Sequence, residues 1–294
     1  MSDTVVSKKK WSKKKKILVI VLSIVGFLLV ATLCTGIGVL NWYCKTVDYN
    51  IVSAHKIMTE DVHLIAHRGF RAKAPENTAP AFEFAGQAGY WGAECDTYRT
   101  KDGVWVVQHD SNTYRMMDSA RFVEKTTFDK LLKDNTDNGN NIENYKELKI
   151  CTLDKYLEIC EQYNMTAVIE LKGKNNTEHY DEIVALTDKH DCKVVYISFH
   201  REALEAMRKL SADQMFYLVH EITVDDIIFA KDLGSCGIDF NAAKEKNFED
   251  DAAIIKKCQE SKLELGAWTI DDPDVMKKCI DLGVTYITTN CITN

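Results

Sequence analysis

Between residues 61 and 294, short β-branched or aromatic runs take turns with stretches whose apolar residues recur at helical spacing. The runs that read as strands are Val62–Ala66, Gly92–Tyr98, Val104–Gln108, Thr166–Leu171, Lys193–Ser198, Met215–Val219, Gly237–Phe240, Leu265–Ile270 and Thr285–Thr289. The helical stretches are Ala79–Ala88, Leu153–Tyr163, Tyr180–His190, Arg201–Lys209, Val224–Leu233, Ala252–Ser261 and Asp274–Leu282. Alternation of this kind predicts βα units joined by right-handed crossovers around a parallel sheet, and roughly 250 residues suit one (β/α)8 barrel of the TIM type. Nine strands are one too many for that barrel. Only Thr100-Lys101-Asp102-Gly103 separates the second run from the third, and Asp-Gly is a hairpin signal, so Val104–Gln108 folds back as a hairpin arm and eight strands are left. The turn brings His109 back opposite Glu94, to within one residue of bulge. Residues 111–150 form a small irregular insertion, loop-like at Asn135–Asn141. Residues 44–60 read as a linker with a short helix, and no internal repeat stands out.

The N-terminus follows another pattern. No residue from Ile17 to Tyr43 is charged, and about 20 apolar residues suffice for a helix to cross the hydrocarbon core. Lys8, Lys9, Lys10, Lys13, Lys14, Lys15 and Lys16 stand directly before the run, and Trp42 and Tyr43 end it where an interfacial aromatic belt would sit. Cations beside a span stay in the cytoplasm. The expected organisation is a basic cytoplasmic tail at 1–16, a transmembrane helix at 17–43, the linker at 44–60, and a domain at 61–294 outside the cell membrane. A cleavable signal peptide fits less well, because the run is long and Gly36-Ile37-Gly38 is a weak cleavage candidate.

Charge narrows the partners. Seven lysines and Asp3 give residues 1–43 a net +6 in a chain whose total is −7, so the remainder carries −13. A body that acidic is unsuited to nucleic acid. The ten cysteines show no C-x-x-C pairs and no zinc spacing, and several sit among apolar neighbours, as Cys160 does. They read as small buried hydrophobes. No motif speaks to a protein partner.

In such a barrel the chemistry sits at the carboxyl ends of the strands. The first strand ends in His67-Arg68-Gly69. The second carries Glu94-Cys95-Asp96, whose two carboxylates share one face at a period of two. The hairpin returns to His109-Asp110, and another strand ends Glu170-Leu171-Lys172. Glu94, Asp96 and Glu170 would repel at one barrel mouth unless a cation lay between them, and hard oxygen donors favour Mg2+ or Ca2+. Two histidines suit acid and base roles near neutral pH, while Arg68 and Lys172 suit an anionic group. Together these groups describe phosphodiester cleavage. Taken singly, Gly69 is accounted for by the turn alone and Asn77 or Thr78 by capping the helix near Ala79; joint placement at successive strand ends favours the site instead.

His67-Arg68-Gly69, Pro75-Glu76-Asn77-Thr78, Glu94-x-Asp96, Thr100-x-Asp102-Gly103, His109-Asp110 and Glu170-x-Lys172, followed by Thr152-Leu153, Ser198-Phe199 and Trp268-Thr269, resemble the ordered signature of the glycerophosphodiester phosphodiesterase family. The resemblance spans about His63 to Thr289. It implies a TIM-type barrel with a small insertion and one divalent cation, Ca2+ or Mg2+, on Glu94, Asp96 and Glu170. It further implies His67 and His109 as the acid–base pair, Arg68 and Lys172 on the phosphate, and Trp268 on the glycerol or head-group side. In the family mechanism the neighbouring glycerol hydroxyl attacks phosphorus, and water then opens the cyclic phosphate to give glycerol 3-phosphate and an alcohol. The small-molecule substrate would be a glycerophosphodiester. A lysophospholipase D acting on lysophospholipids is the alternative, and a catalytically silent phosphodiester-binding barrel a more distant one. Asn290 stands where the family commonly has Asp, which places a peripheral contact in doubt. The short 111–150 segment is expected to be only a loop over the site.

Overall fold

The runs that read as strands pair edge to edge until the sheet closes on itself. The computed structural model describes residues 44–172, 176–242 and 248–294. The basic tail, the apolar run 17–43 and Cys34 lie outside the described residues. Among those described, no helix is long and apolar enough to cross a membrane.

In chain order the elements are β1 (Val52–Ser53), β2 (His63–Ala66), α1 (Ala79–Gln87), β3 (Gly92–Arg99), β4 (Trp105–Val107), α2 (Phe128–Leu131), β5 (Cys151–Thr152), α3 (Leu153–Gln162), β6 (Thr166–Leu171), α4 (Tyr180–Thr187), β7 (Val194–Ser198), α5 (Arg201–Arg208), β8 (Gln214–Val219), α6 (Val224–Leu233), β9 (Cys236–Asn241), α7 (Phe248–Glu260), β10 (Leu265–Trp268), α8 (Pro273–Asp281), β11 (Tyr286–Thr289) and β12 (Ile292–Thr293). Neighbours run β2-β11-β10-β9-β8-β7-β6-β3, and β2 pairs with β3 to complete the circle. Every pairing around it is parallel. The expected (β/α)8 barrel is therefore present.

Strand alternation sorts the side chains into two cores. Inward positions Ile65, Val168, Val195, Ile197, Phe216 and Leu218 fill the barrel, while Ala66, Ala93, Cys95, Ala167, Ile169 and Tyr196 face the helices. At the amino ends of the strands His63 stacks on Trp91 at 4.4 Å and meets Tyr286 at 4.7 Å, which closes that end. Nine described cysteines are free thiols and most are buried, as their apolar surroundings suggested.

Three expectations need correction. First, the stretch read as a linker has no helix. Val52 and Ser53 pair in parallel with Ile292 and Thr293, and Ala54 N donates to Thr293 O at 2.7 Å. These bonds satisfy an extended backbone, and the compact unit accordingly begins at Thr46. Second, residues 111–150 are more than a loop: Val106, Met116, Met117, Val123, Leu131 and Ile150 bury one another in a small core of their own. Third, neither Asn77 nor Thr78 caps α1. The Thr78 hydroxyl donates back to Pro75 O, and Pro80 near the helix start has no N–H to be capped.

The hairpin is as expected. β3 and β4 pair antiparallel with Thr97 opposite Val107, and Gln108 N donates to Asp96 O at 2.9 Å. His109 is the next residue, one register place from Glu94. The turn that carries His67 is equally constrained, because Gly69 has φ +76° and a Cβ there would lie 2.7 Å from the Ala81 carbonyl carbon. Gly69→Val should therefore destabilise the fold by about 2 kcal/mol or more, read as a lowered midpoint in thermal unfolding.

Candidate active site

At the carboxyl end of the barrel, β3 and β6 lie side by side with Asp96 opposite Glu170. Glu94 is two residues before Asp96 and so faces the same way. The result is an acidic triad in which Glu94, Asp96 and Glu170 each offer an oxygen within 4.8 Å of the others, all three buried. Burial and then the charges of Asp96 and Glu170 push the Glu94 carboxyl well above its usual range. Burial and the Asp96 charge likewise push Glu170 up to about 8. For Asp96, burial opposes ionisation, yet Lys172, His109 and Arg68 hold it well below the usual range.

The surrounding donors leave this triad short of positive charge. Lys172 Nζ lies 3.0 Å from Glu170 and 3.3 Å from Asp96. The Arg68 backbone N–H donates to Glu94 at 2.8 Å, and Asn77 Nδ2 donates to Asp96 Oδ2 at 2.7 Å. Asp96 Oδ1, the oxygen nearest Lys172, is buried and makes no hydrogen bond among the described residues. A buried carboxylate oxygen with no hydrogen bond besides its ion pair, inside an all-oxygen donor set, fits a hard divalent cation.

The two histidines are oriented alike. His67 Nδ1 lies 2.8 Å from Asn290 Oδ1. Asn290 is itself held by Asp271, which accepts from Asn290 Nδ2 at 2.6 Å and from its backbone N–H at 2.8 Å. With its amide N–H committed to Asp271, Asn290 presents an acceptor, so His67 carries its proton on Nδ1 and leaves Nε2 as a base. Burial, then the charges of Arg68 and Arg71, lower the His67 pKa well below 6.5 and keep the ring neutral. His109 Nδ1 lies 2.9 Å from Asp110 Oδ1, and Arg115 holds Asp110 in turn. Asn290 is thus no peripheral contact. It is buried and oriented directly on His67.

A second hub holds the cations. Buried Glu76 pairs with Arg68 at 2.8 Å, with Arg71 at 2.7 Å and with Arg115. Burial opposes its charge, but these three guanidiniums keep the carboxyl well below its usual range. Arg68 adopts φ 58° and Asn77 φ 57°, so both turns are bent to face the triad.

His67, Arg68, Glu94, His109, Glu170, Lys172 and Trp268 line one cavity of about 350 Å³. Asp96 stands behind this wall, tied to Glu170 through Lys172. Ile197, Leu218, Phe199 and Trp268 give the same cavity an apolar lining, and Trp268 Nε1 donates to Asp239 O at 3.2 Å. All eight residues singled out in the sequence thus meet at one place. Sequence reasoning gave no site role to Glu76, Asp239 or Asp271, and for Asn77 it offered only a cap as the alternative to a place in the family signature. The polar Pro75-Glu76-Asn77-Thr78 run was the available signal for two of them.

Residues 67–293 match the Glycerophosphoryl diester phosphodiesterase family. A glycerophosphodiester phosphodiesterase of Caldanaerobacter subterraneus subsp. tengcongensis is 28% identical over 236 residues, covering 77% of this chain and 93% of its own. Among solved structures, an Oleispira antarctica phosphodiesterase in complex with the product sn-glycerol-3-phosphate shares the fold with a TM-score of 0.72 at 24% identity, over 81% of this chain and 95% of its own. A glycerophosphodiester phosphodiesterase from Parabacteroides distasonis has a TM-score of 0.65 at 25% identity, over 79% of this chain and 94% of its own. With its barrel, its acidic triad and a match that runs through nearly the whole body, the chain belongs to the glycerophosphoryl diester phosphodiesterase family.

Proposed function

We propose that this protein hydrolyses glycerophosphodiesters to glycerol 3-phosphate and an alcohol. One observation carries the reading. Two histidines, each with Nδ1 tied to an oxygen, face the same cavity as the acidic triad, Arg68 and Lys172. Glu94, Asp96 and Glu170 would hold a divalent cation, whose chemistry when bound is neutralisation of phosphate charge. Arg68 and Lys172 bind the remaining phosphate oxygens.

His67, kept neutral with Nε2 open, takes the proton from the glycerol hydroxyl next to the phosphate, and that oxygen attacks phosphorus. His109 gives a proton to the departing alcohol. In the second half the roles reverse, and water opens the cyclic phosphate. Asn290 and Asp271 keep the His67 ring turned for this transfer, and Glu76 keeps Arg68 in place.

The apolar wall of Ile197, Leu218, Phe199 and Trp268 favours a second reading, a lysophospholipase D with an acyl chain on that side. A silent binding barrel is less well supported, because both histidines and all three carboxylates are present. The uncharged run 17–43 behind seven lysines supports a single membrane anchor with the body outside. On that reading the full chain stays with membranes through an alkaline carbonate wash, and a chain lacking residues 1–43 is released.

Chelator-treated full-length protein in detergent should release no glycerol 3-phosphate from glycerophosphocholine, and Ca2+ or Mg2+ should restore release. His67→Ala and His109→Ala should each lower kcat by about 100-fold or more. Metal addition should also raise the thermal midpoint of the native chain. Glu94→Gln should abolish that rise, and an unchanged rise would remove Glu94 from the metal site. Asn290→Ala should lower kcat by about 10- to 100-fold, with KM little changed, because only the ring orientation is lost.

A further inference from the structure

Three carboxyl groups line the cavity, and the chemistry above uses two of them. Glu94 and Glu170 belong to the triad, whereas Asp239 does not. Asp239 lies on β9, across from Leu218 on β8 and Gly266 on β10. It is 6% exposed, and its Oδ1 is buried without a hydrogen-bond partner among the described residues. The neighbouring glycine makes room for it, since a Cβ at 266 would stand 2.6 Å from that oxygen. Asp239 lines the cavity, and a buried carboxyl with one oxygen unpaired among the described residues calls for a further partner, which a ligand hydroxyl there can supply.

The shape of the cavity says which part of the ligand that is. Its floor is closed by the buried inner-core side chains Ile197 and Leu218, and Asp239 sits beside them. The departing alcohol varies in size and must point out of the open end. The small glycerol moiety is the part that fits toward the closed floor. Of its two hydroxyls, the one next to the phosphate is the nucleophile, so the terminal one needs a partner of its own.

We infer that Asp239 hydrogen-bonds the terminal hydroxyl of the glycerol moiety and makes the site selective for substrates in which that hydroxyl is free. The inference rests on the glycerophosphodiesterase reading and sharpens it. Acylation of the terminal hydroxyl removes its donor and adds bulk against the floor, so a 1-acyl lysophospholipid is disfavoured relative to its deacylated counterpart. A site that pairs a substrate hydroxyl rejects the analogue lacking it far more strongly than an apolar pocket rejects a missing methylene.

The test uses the full-length chain in detergent with the divalent cation supplied. Glycerophosphocholine is compared with its analogue built on propane-1,2-diol, which keeps the nucleophile but lacks the terminal hydroxyl, and with glycerophosphoglycerol, which changes only the departing alcohol. The native enzyme should prefer glycerophosphocholine by roughly 100-fold to 10⁴-fold in kcat/KM. Asp239→Val should reduce that preference to within about 10-fold, through loss on glycerophosphocholine alone. Asp239→Asn, which keeps a donor and an acceptor in nearly the same shape, should retain most of it. Equal losses on glycerophosphocholine and the propane-1,2-diol analogue in Asp239→Val and Asp239→Asn would mark a structural residue and overturn the inference. A preference of the native enzyme that survives in Asp239→Val would overturn it as well. So would a variant whose changed preference lies between glycerophosphocholine and glycerophosphoglycerol, because Asp239 would then read the departing alcohol. If the native enzyme turns over none of these substrates, the functional reading itself fails, and this inference with it.

Discussion

Three carboxylates forced into one small volume are the constraint around which the carboxyl end of this barrel is arranged. Parallel pairing sets Asp96 beside Glu170, and the two-residue period of β3 adds Glu94 on the same face. At separations near 5 Å, two full charges repel by about 3 kcal/mol at an effective dielectric of about 20. The protein answers with Lys172, the Arg68 side chain and backbone N–H, and the Asn77 amide. These donors leave Glu94 and Glu170 reluctant to ionise and, among the described residues, Asp96 Oδ1 without a hydrogen bond. A divalent cation is the natural completion of such a set.

The catalytic groups are held from behind by other charges. Glu76 gathers Arg68, Arg71 and Arg115, and Arg115 also reaches Asp110, which orients His109. Arg68 and His109 therefore share a buried network. On the other side, the Asp271–Asn290 pair fixes His67. An amide at position 290 orients that ring without adding a charge beside it. Burial and two nearby arginines outweigh the hydrogen bond from His67 to Asn290 and lower the His67 pKa well below its usual value. The insertion supplies Arg115 from a segment with its own small core, so it supports the site as well as flanking it.

The barrel, its hairpin and seven of the eight candidate residues were legible in the sequence because each depends on local pattern; Trp268 came from the family resemblance alone. Period-two alternation tells which side of a strand Glu94, Asp96 and Glu170 occupy. An Asp-Gly turn of known length tells where His109 returns. The first exception, at Asn77, is instructive: its local context suggested a helix cap, and a tertiary partner, Asp96, drew the side chain away. The residues 44–60 were misread for a related reason. Their strand depends on Ile292 and Thr293, more than 200 positions away, and no local signal announces such a partner.

By itself the sequence determined the strand and helix order, the faces of the strands and the chemical types gathered at their ends. These follow from backbone periodicity and turn chemistry, which act over a few residues. Only the tertiary structure decided which charges share a desolvated volume, that Asn290 orients His67, and that Asp239 Oδ1, on a residue lining the cavity, has no partner among the described residues. Such outcomes depend on distances between strands remote in the chain. They also depend on exclusion of water, which turns a modest surface interaction into one strong enough to set a protonation state.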